Sequence, residues 1–368
     1  MIFIAGLSIA IFIEFLLLSK KSKSKSDIIL IIWIFTIILN LSLFYGHYTE
    51  SIYNYPFLLG IELPIPLLHG VFLYLYVASV TQQLPKNKML IALHFLPLLG
   101  VYIYLIEIFK LPVNEKINVF KNEGAGYETF SYVLYDILVP WSGVVYVIWS
   151  IILLRKHKYH ILNNFSNLEN VNLKWLQFLT IGIGGIWLLV IILEDDFFIF
   201  IGVVVFVILI GFFGINQGEI YTLKIAQDNV VNNAQANNKE SHKTKKYAKS
   251  GLDEKQSKIM FSNLKRVMLT EEIYKNGDLS ISDLASVLGT NSNHLSQIIN
   301  EQEGKNFYEF INTYRIEAFI SLLQQPENKN FTLLALANEC GFNSKSSFNR
   351  HFKKYTGQTP SEYLASKY

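Results

Sequence analysis

The chain has 368 residues, 51% hydrophobic and 17% charged, with a formal net charge of +3. Its single cysteine, Cys340, excludes an intrachain disulfide and any cysteine-based zinc finger. A mean hydropathy of +0.29 averages over two unlike halves, so each half is read separately.

Seven apolar segments fill the first 216 residues: Ile2–Leu18, Ile28–Tyr45, Ile65–Val80, Met89–Phe109, Val133–Leu154, Trp175–Leu193 and Phe197–Ile215. A membrane-crossing helix needs about 20 mostly apolar residues, which these segments reach or approach. The first has no basic stretch before it and no small-residue cleavage site after it, so it reads as a retained anchor. Lysine and arginine mark cytoplasmic loops. Ten of them follow the first, third and fifth segments: Lys20, Lys21, Lys23, Lys25, Lys86, Lys88, Arg155, Lys156, Lys158 and Lys174. The opposite loops hold three, Lys110, Lys116 and Lys121. That asymmetry predicts seven spans, N-terminus outside and C-terminus in the cytoplasm.

Ionisable groups are costly in lipid and mark functional candidates. Glu14, Glu62, His69, His94, Glu107 and Asp136 fall in or beside the segments. Glu62 and His69 flank Pro64 and Pro66, whose rings leave carbonyls unpaired by a helix. Two readings stand. One is a sensing pocket open to the outside, with Glu62, His69 and Asp136 as its candidates. The other is an interfacial cap with one interhelical hydrogen bond.

Residues 217–256 change character. Asn229, Asn232, Asn233, Asn237 and Asn238 precede Lys239, Lys243, Lys245, Lys246 and Lys249, with few apolar residues to anchor a core. A polar flexible linker is expected there.

Residues 257–368 contain an internal repeat. Leu284-Ala285 with Gly289 matches Leu336-Ala337 with Gly341 at an offset of 52; after the turn Leu295 matches Phe348 and Ile299 matches Phe352 at 53. Each copy reads as helix, tight turn, helix. Ile281, Leu284, Ala285 and Leu288 make an apolar stripe at helical spacing. Gly289 supplies the turn, and Asn291 or Ser292 caps the next helix. The second copy uses Leu333, Leu336, Ala337 and Cys340, then Gly341, then Asn343 or Ser344. Phe307 to Leu323 suits one long connecting helix that ends before Pro326.

In the second copy Gly341-Phe342, Phe348-Asn349-Arg350, Phe352-Lys353-Lys354, Thr356-Gly357 and Thr359-Pro360-Ser361-Glu362-Tyr363 stand at a characteristic spacing. With them, the segment from about Ser257 to Tyr363 resembles the DNA-binding domain of AraC/XylS-type bacterial transcriptional regulators. The resemblance implies an all-α domain of two helix-turn-helix units joined by a long helix. Each unit would put its second helix into the major groove. By position, base-reading roles fall to Asn293, Ser296 and Gln297 in the first unit. In the second they fall to Lys345, Ser346, Ser347, Asn349 and Arg350. Arginine can bond guanine twice, and asparagine or glutamine adenine. Lys353 and Lys354 are phosphate candidates, which position without specifying. Leu364 departs from the basic residue that relatives carry there. The domain is barely basic, with 12 Lys and Arg against 11 Asp and Glu from Ser257 onward. No acid, however, lies between Gly341 and Ser361.

The expectation is therefore all-α: a seven-helix transmembrane domain (residues 1–216), a linker (217–256) and an AraC-type DNA-binding domain (257–368). It implies a regulator in a bacterial inner membrane, with its DNA-binding half in the cytoplasm and its membrane half sensing a signal. The alternative makes the spans a mere anchor, with the DNA-binding half controlled by abundance or proteolytic release. No metalloprotease, phosphate-loop or serine-nucleophile motif is present, so no enzyme, cofactor or metal site is expected. The expected partners are duplex DNA, the lipid bilayer, a second copy of the chain and an unidentified small-molecule or membrane signal. RNA polymerase is a further candidate.

Overall fold

The computed structural model describes residues 2–122, 130, 132–168, 174–193, 196–214 and 254–367. The Asn/Lys linker up to residue 253, and the side chain of Asp136, lie outside the described residues. Every described regular element is helical, apart from one isolated antiparallel bridge between Phe165 and Ser280. The described residues fall into two compact units, one within residues 1–157 and 173–222, the other within 158–172 and 223–368.

The first unit holds α1 (Ile2–Ser19), α2 (Lys25–Tyr48), α3 (Pro66–Val80), α4 (Lys88–Leu93), α5 (Leu96–Phe109), α6 (Val113–Asn122), most of α7 (Val139–Asn164), α8 (Lys174–Leu193) and α9 (Asp196–Gly214). Among the described residues, each of the seven apolar segments is largely helical. Three described stretches are long and apolar enough to cross a membrane: Lys25–Tyr48, Tyr132–Asn164 and Trp175–Ile192. The apolar helices Phe3–Ser19, Pro66–Val80, Leu96–Phe109 and Ile201–Ile210 are shorter.

Two segments differ from their sequence reading. Met89–Phe109 is broken between α4 and α5, because Pro97 in the first turn of α5 cannot donate a helical hydrogen bond. Val133–Leu154 begins in a π-helical stretch, Tyr132–Leu138, and runs on through α7 to Asn164, so Arg155, Lys156 and Lys158 sit on a helix. Residues 155–164 contain neither glycine nor proline, and Ile161 is buried, so nothing stops the helix earlier.

The core of this unit is built on Trp33, Ile34, Leu73, Val77, Leu105, Leu176 and Val207. Close helix approach is set by small residues. A Cβ on Gly143 would stand 2.1 Å from the Trp187 ring, and one on Gly70 would stand 2.8 Å from Tyr146. Large apolar side chains such as Phe12, Phe15, Phe35, Ile103 and Ile181 face outward.

The second unit contains α10 (Glu254–Thr270), α11 (Ile281–Val287), α12 (Ser292–Glu303), α13 (Phe307–Leu323), α14 (Leu333–Glu339), α15 (Lys345–Thr356) and α16 (Pro360–Lys367). The helix bounds repeat the sequence offsets: α11 and α14 begin 52 residues apart, α12 and α15 begin 53 apart. Two cores result. Leu264, Met268, Leu284, Leu295, Ile299, Phe307 and Phe310 form one. Ile316, Phe319, Leu336, Cys340, Phe348 and Phe352 form the other. α13 contributes its first half to the first core and its second half to the other. Burial pushes the Cys340 thiol up to about 12, so it is an inert core residue.

Candidate nucleic-acid interface

In each copy the turn glycine takes a positive φ, +64° at Gly289 and +93° at Gly341. The following helix is then capped by a side chain. The Asn291 side chain accepts from the His294 amide at 2.8 Å, and Ser344 Oγ accepts from the Ser347 amide at 3.2 Å. Of the alternatives open in the sequence, the caps are Asn291 and Ser344. Both helices end on glycine in the left-handed conformation, Gly304 and Gly357.

Capping and inward packing together fix what each helix displays. Burial of Leu295, Ile298 and Ile299 leaves Asn293 exposed and Ser296 and Gln297 half-buried on α12. Burial of Phe348 and Phe352 leaves Lys345, Ser346, Arg350, Lys353 and Lys354 exposed on α15, with Ser347 and Asn349 half-buried. The outward side of α15 thus carries four cations and no carboxylate.

Several of these groups are already engaged. Arg350 donates to the Tyr308 hydroxyl on α13, and Lys354 pairs with Glu309 Oε1 on the same helix at 2.5 Å. Gln297 Nε2 donates to Glu301 Oε1 at 2.7 Å. Sequence reasoning singled out neither Tyr308 nor Glu309. Their spacing from α15 is set by tertiary packing, which no local pattern in the sequence marks.

Behind the surface, His351 packs edge-on against Tyr308 with ring centroids 4.8 Å apart. Burial, reinforced by the charges of Arg350 and Lys354, pushes its imidazole down to about 4. Arg315 of α13 is 1% exposed and donates to several protein oxygens. Its Nε donates to Tyr274 O at 2.8 Å, and one terminal nitrogen donates to Asn276 O at 2.8 Å and to Ser166 Oγ at 3.1 Å. Gly341 lies against the same loop: a Cβ there would come within 2.6 Å of Tyr274 O and 2.8 Å of Lys275 O. Residues 274–277, the Gly341 turn and Arg315 therefore form one joint between the two copies.

A separate feature lies in the first unit. A cavity of about 710 Å3 is lined by apolar residues and by Asn40, His47, Glu62 and His69. Glu62 accepts from His47 Nε2 at 2.7 Å and from the Gly60 amide at 3.1 Å. Asn40 Nδ2 lies 3.1 Å from His69 Nε2. The structure brings Glu62 and His69 to one cavity, and adds Asn40 and His47, which the sequence reading did not nominate.

Residues 284–366 match the family model of a helix-turn-helix domain. An uncharacterised HTH-type transcriptional regulator of Staphylococcus aureus strain COL is 40% identical over 97 residues, 26% of this chain and 12% of the relative. The transcriptional regulatory protein HptR of Staphylococcus aureus is 26% identical over 85 residues, 23% of this chain and 32% of the relative. A solved structure of a protein of unknown function from Listeria innocua has 28% identity and a TM-score of 0.24, covering 28% of this chain and 92% of that one. The C-terminal part of this chain is thus an AraC-type helix-turn-helix domain with homology to transcriptional regulators. The chain spans about 12% of the length of the first of these relatives.

Proposed function

We propose that this protein is a membrane-resident, sequence-specific DNA-binding regulator of transcription. The observation that carries the reading is the duplicated helix pair on α13. Each copy has a capped second helix whose outward side is polar or basic, and the match at residues 284–366 covers most of both copies. In this reading Asn293, Ser296, Gln297, Lys345, Ser346, Ser347, Asn349 and Arg350 read bases, while Lys353 and Lys354 hold phosphates. A second copy of the chain and RNA polymerase are the expected protein partners.

The membrane half of the proposal rests on the seven apolar helices, the three stretches long enough to cross and the alternation of basic loops. Outward-facing Phe and Ile side chains suit lipid on that surface. The N-terminus lies outside and the DNA-binding domain lies in the cytoplasm of a bacterial cell. The cavity at Glu62 and His69 is the proposed sensing pocket. Its size suits a small molecule, and its apolar lining with a few convergent polar groups is the usual make-up of such sites.

The deciding experiment maps DNA bound by the full-length protein in intact cells. Enrichment at a few discrete sites supports the reading. Uniform background, with the protein present in the membrane fraction, overturns it. A reporter fused after Gln217 tests topology separately: an external signal there refutes the seven-span arrangement. A free C-terminal fragment that alone restores regulation favours the anchor-and-release alternative over sensing.

A further inference from the structure

Directly after α7, the segment Phe165–Asn167 is built into the second unit. Phe165 bridges antiparallel to Ser280. The Ser166 amide and hydroxyl both donate to Leu279 O, at 3.1 and 2.7 Å. The Ser166 carbonyl accepts from Asn312 Nδ2 at 3.2 Å and from Arg315 at 3.3 Å, and its hydroxyl accepts from Arg315 at 3.1 Å. Ser166, Asn312 and Arg315 are each 1% exposed. Asn167 continues the register, with Nδ2 3.5 Å from Asp278 Oδ1.

Three features set this contact apart from ordinary packing. First, it is long-range: Ser166 and Arg315 are 149 residues apart in the chain. Second, it satisfies a buried cation whose hydrogen bonds, among the described residues, all go to uncharged oxygens, with the Asp278 carboxylate acting on it only as a nearby charge, so every accepting oxygen matters. Third, it sits on the joint between the two helix-turn-helix copies, where Arg315 also holds residues 274–277 and the Gly341 turn approaches. The residues just before it, Tyr132–Asn164, form one of the three stretches long enough to cross a membrane.

We propose that Phe165–Asn167 is an intrachain latch: seated on the Arg315 joint it holds the two DNA-reading copies at a fixed spacing, and movement of α7 withdraws it. The latch rests on the DNA-binding reading above and supplies its regulation. The seated form is the DNA-binding form, because two rigidly spaced readers engage one duplex together, whereas loosely joined ones bind nearly independently. Withdrawal leaves Arg315 and Asn312 without their Ser166 acceptors, which loosens the joint without dismantling either core.

The test uses the full-length chain in lipid nanodiscs and a duplex selected by the wild-type protein from a random-sequence library. Failure to select any duplex counts against DNA reading, whatever becomes of the latch. The pair Asn167→Cys and Asp278→Cys, in a Cys340→Ala background, reports seating. Oxidation is expected to block maleimide labelling at monomer mobility and to leave affinity for the selected duplex within about twofold. Ser166→Leu cannot seat. It is expected to weaken affinity about tenfold or more while hydrogen exchange at Leu295, Ile299, Phe348 and Phe352 stays slow. Cysteines that remain fully labelled, a crosslink that joins two chains, or a Ser166→Leu protein that binds as tightly as wild type each overturn the latch.

Discussion

Replacing Gly341 by alanine separates what the turn needs from what the joint needs. Both turn glycines have positive φ, which costs an L-residue about 1–2 kcal/mol. At Gly289 that is the whole cost, because a Cβ there meets nothing within 4 Å. At Gly341 the Cβ would lie 2.6 Å from Tyr274 O and 2.8 Å from Lys275 O. Both are backbone atoms of a loop that Arg315 bonds on either side of Lys275, at Tyr274 O and Asn276 O, so no flexible side chain can swing away. Overpacking of this kind costs about 1–3 kcal/mol more. Gly341→Ala should therefore destabilise the second unit by about 2 kcal/mol beyond Gly289→Ala. That is roughly thirtyfold in exchange rate for globally opening amides. Hydrogen-exchange mass spectrometry on the intact chain, following peptides from 254–367, measures both. Equal acceleration in the two variants would refute the joint as drawn, since it would mean that residues 274–275 do not confine the second turn.

Other expectations follow from single contacts. Arg350→Ala should lose about 1–3 kcal/mol of preference at one base position in a binding-site selection, whereas Lys353→Ala should weaken all duplexes alike and lower the salt slope by about one. Glu62→Ala removes the acceptor for His47 and for the Gly60 amide, and should cost about 1–3 kcal/mol in a detergent melt of the first unit. His351 gives a pH dependence of definite sign. Its folded pKa of about 4 lies below the ordinary 6.5, so the unfolded chain binds the extra proton and stability falls as pH drops below 6.5. At pH 5 the loss is about 2 kcal/mol, flattening below pH 4; His351→Phe should remove that slope in urea unfolding followed by exchange.

The second unit was largely legible in the sequence because its signals are local. Gly289 and Gly341 mark turns that only glycine makes cheaply, and the stripes at Leu284 and Leu336 follow helical period. The one-residue change of offset marks the longer turn of the second copy. Choosing Asn291 over Ser292 and Ser344 over Asn343 needed geometry, because either neighbour satisfies the local rule. The break at His94–Phe95 was signalled by Pro97, but the apolar run on both sides masked it. Nothing marked Ser166. A small polar residue after a helix is ordinary in a sequence, and its partners Leu279, Asn312 and Arg315 lie more than a hundred residues away. The same holds for Asn40 and His47, whose neighbours in the chain are apolar or aromatic and whose meaning comes from Glu62 and His69.

The near-neutral charge of the second unit gains a reason from the contacts of α15. Two of its four cations are not idle in the unbound protein: Arg350 rests on Tyr308 and Lys354 on Glu309. A phosphate that takes Lys354 must displace a carboxylate, and a base that takes Arg350 must displace a phenol. Both exchanges leave a partner on α13 to be resolvated, so they reward a duplex only where it offers a full set of contacts. On the proposed reading, non-specific binding, which depends on free surface cations, is correspondingly reduced, with Lys345 and Lys353 as its main support. Tyr308 and Glu309 stand one turn from Asn312 and two from Arg315 on the same helix. Any shift of α13 at the joint therefore reaches the two side chains that hold Arg350 and Lys354. A Tyr308→Phe, Glu309→Gln double variant tests the coupling. It should raise affinity for random duplex more than for the selected one, and equal gains on both would show that these contacts do not govern selectivity.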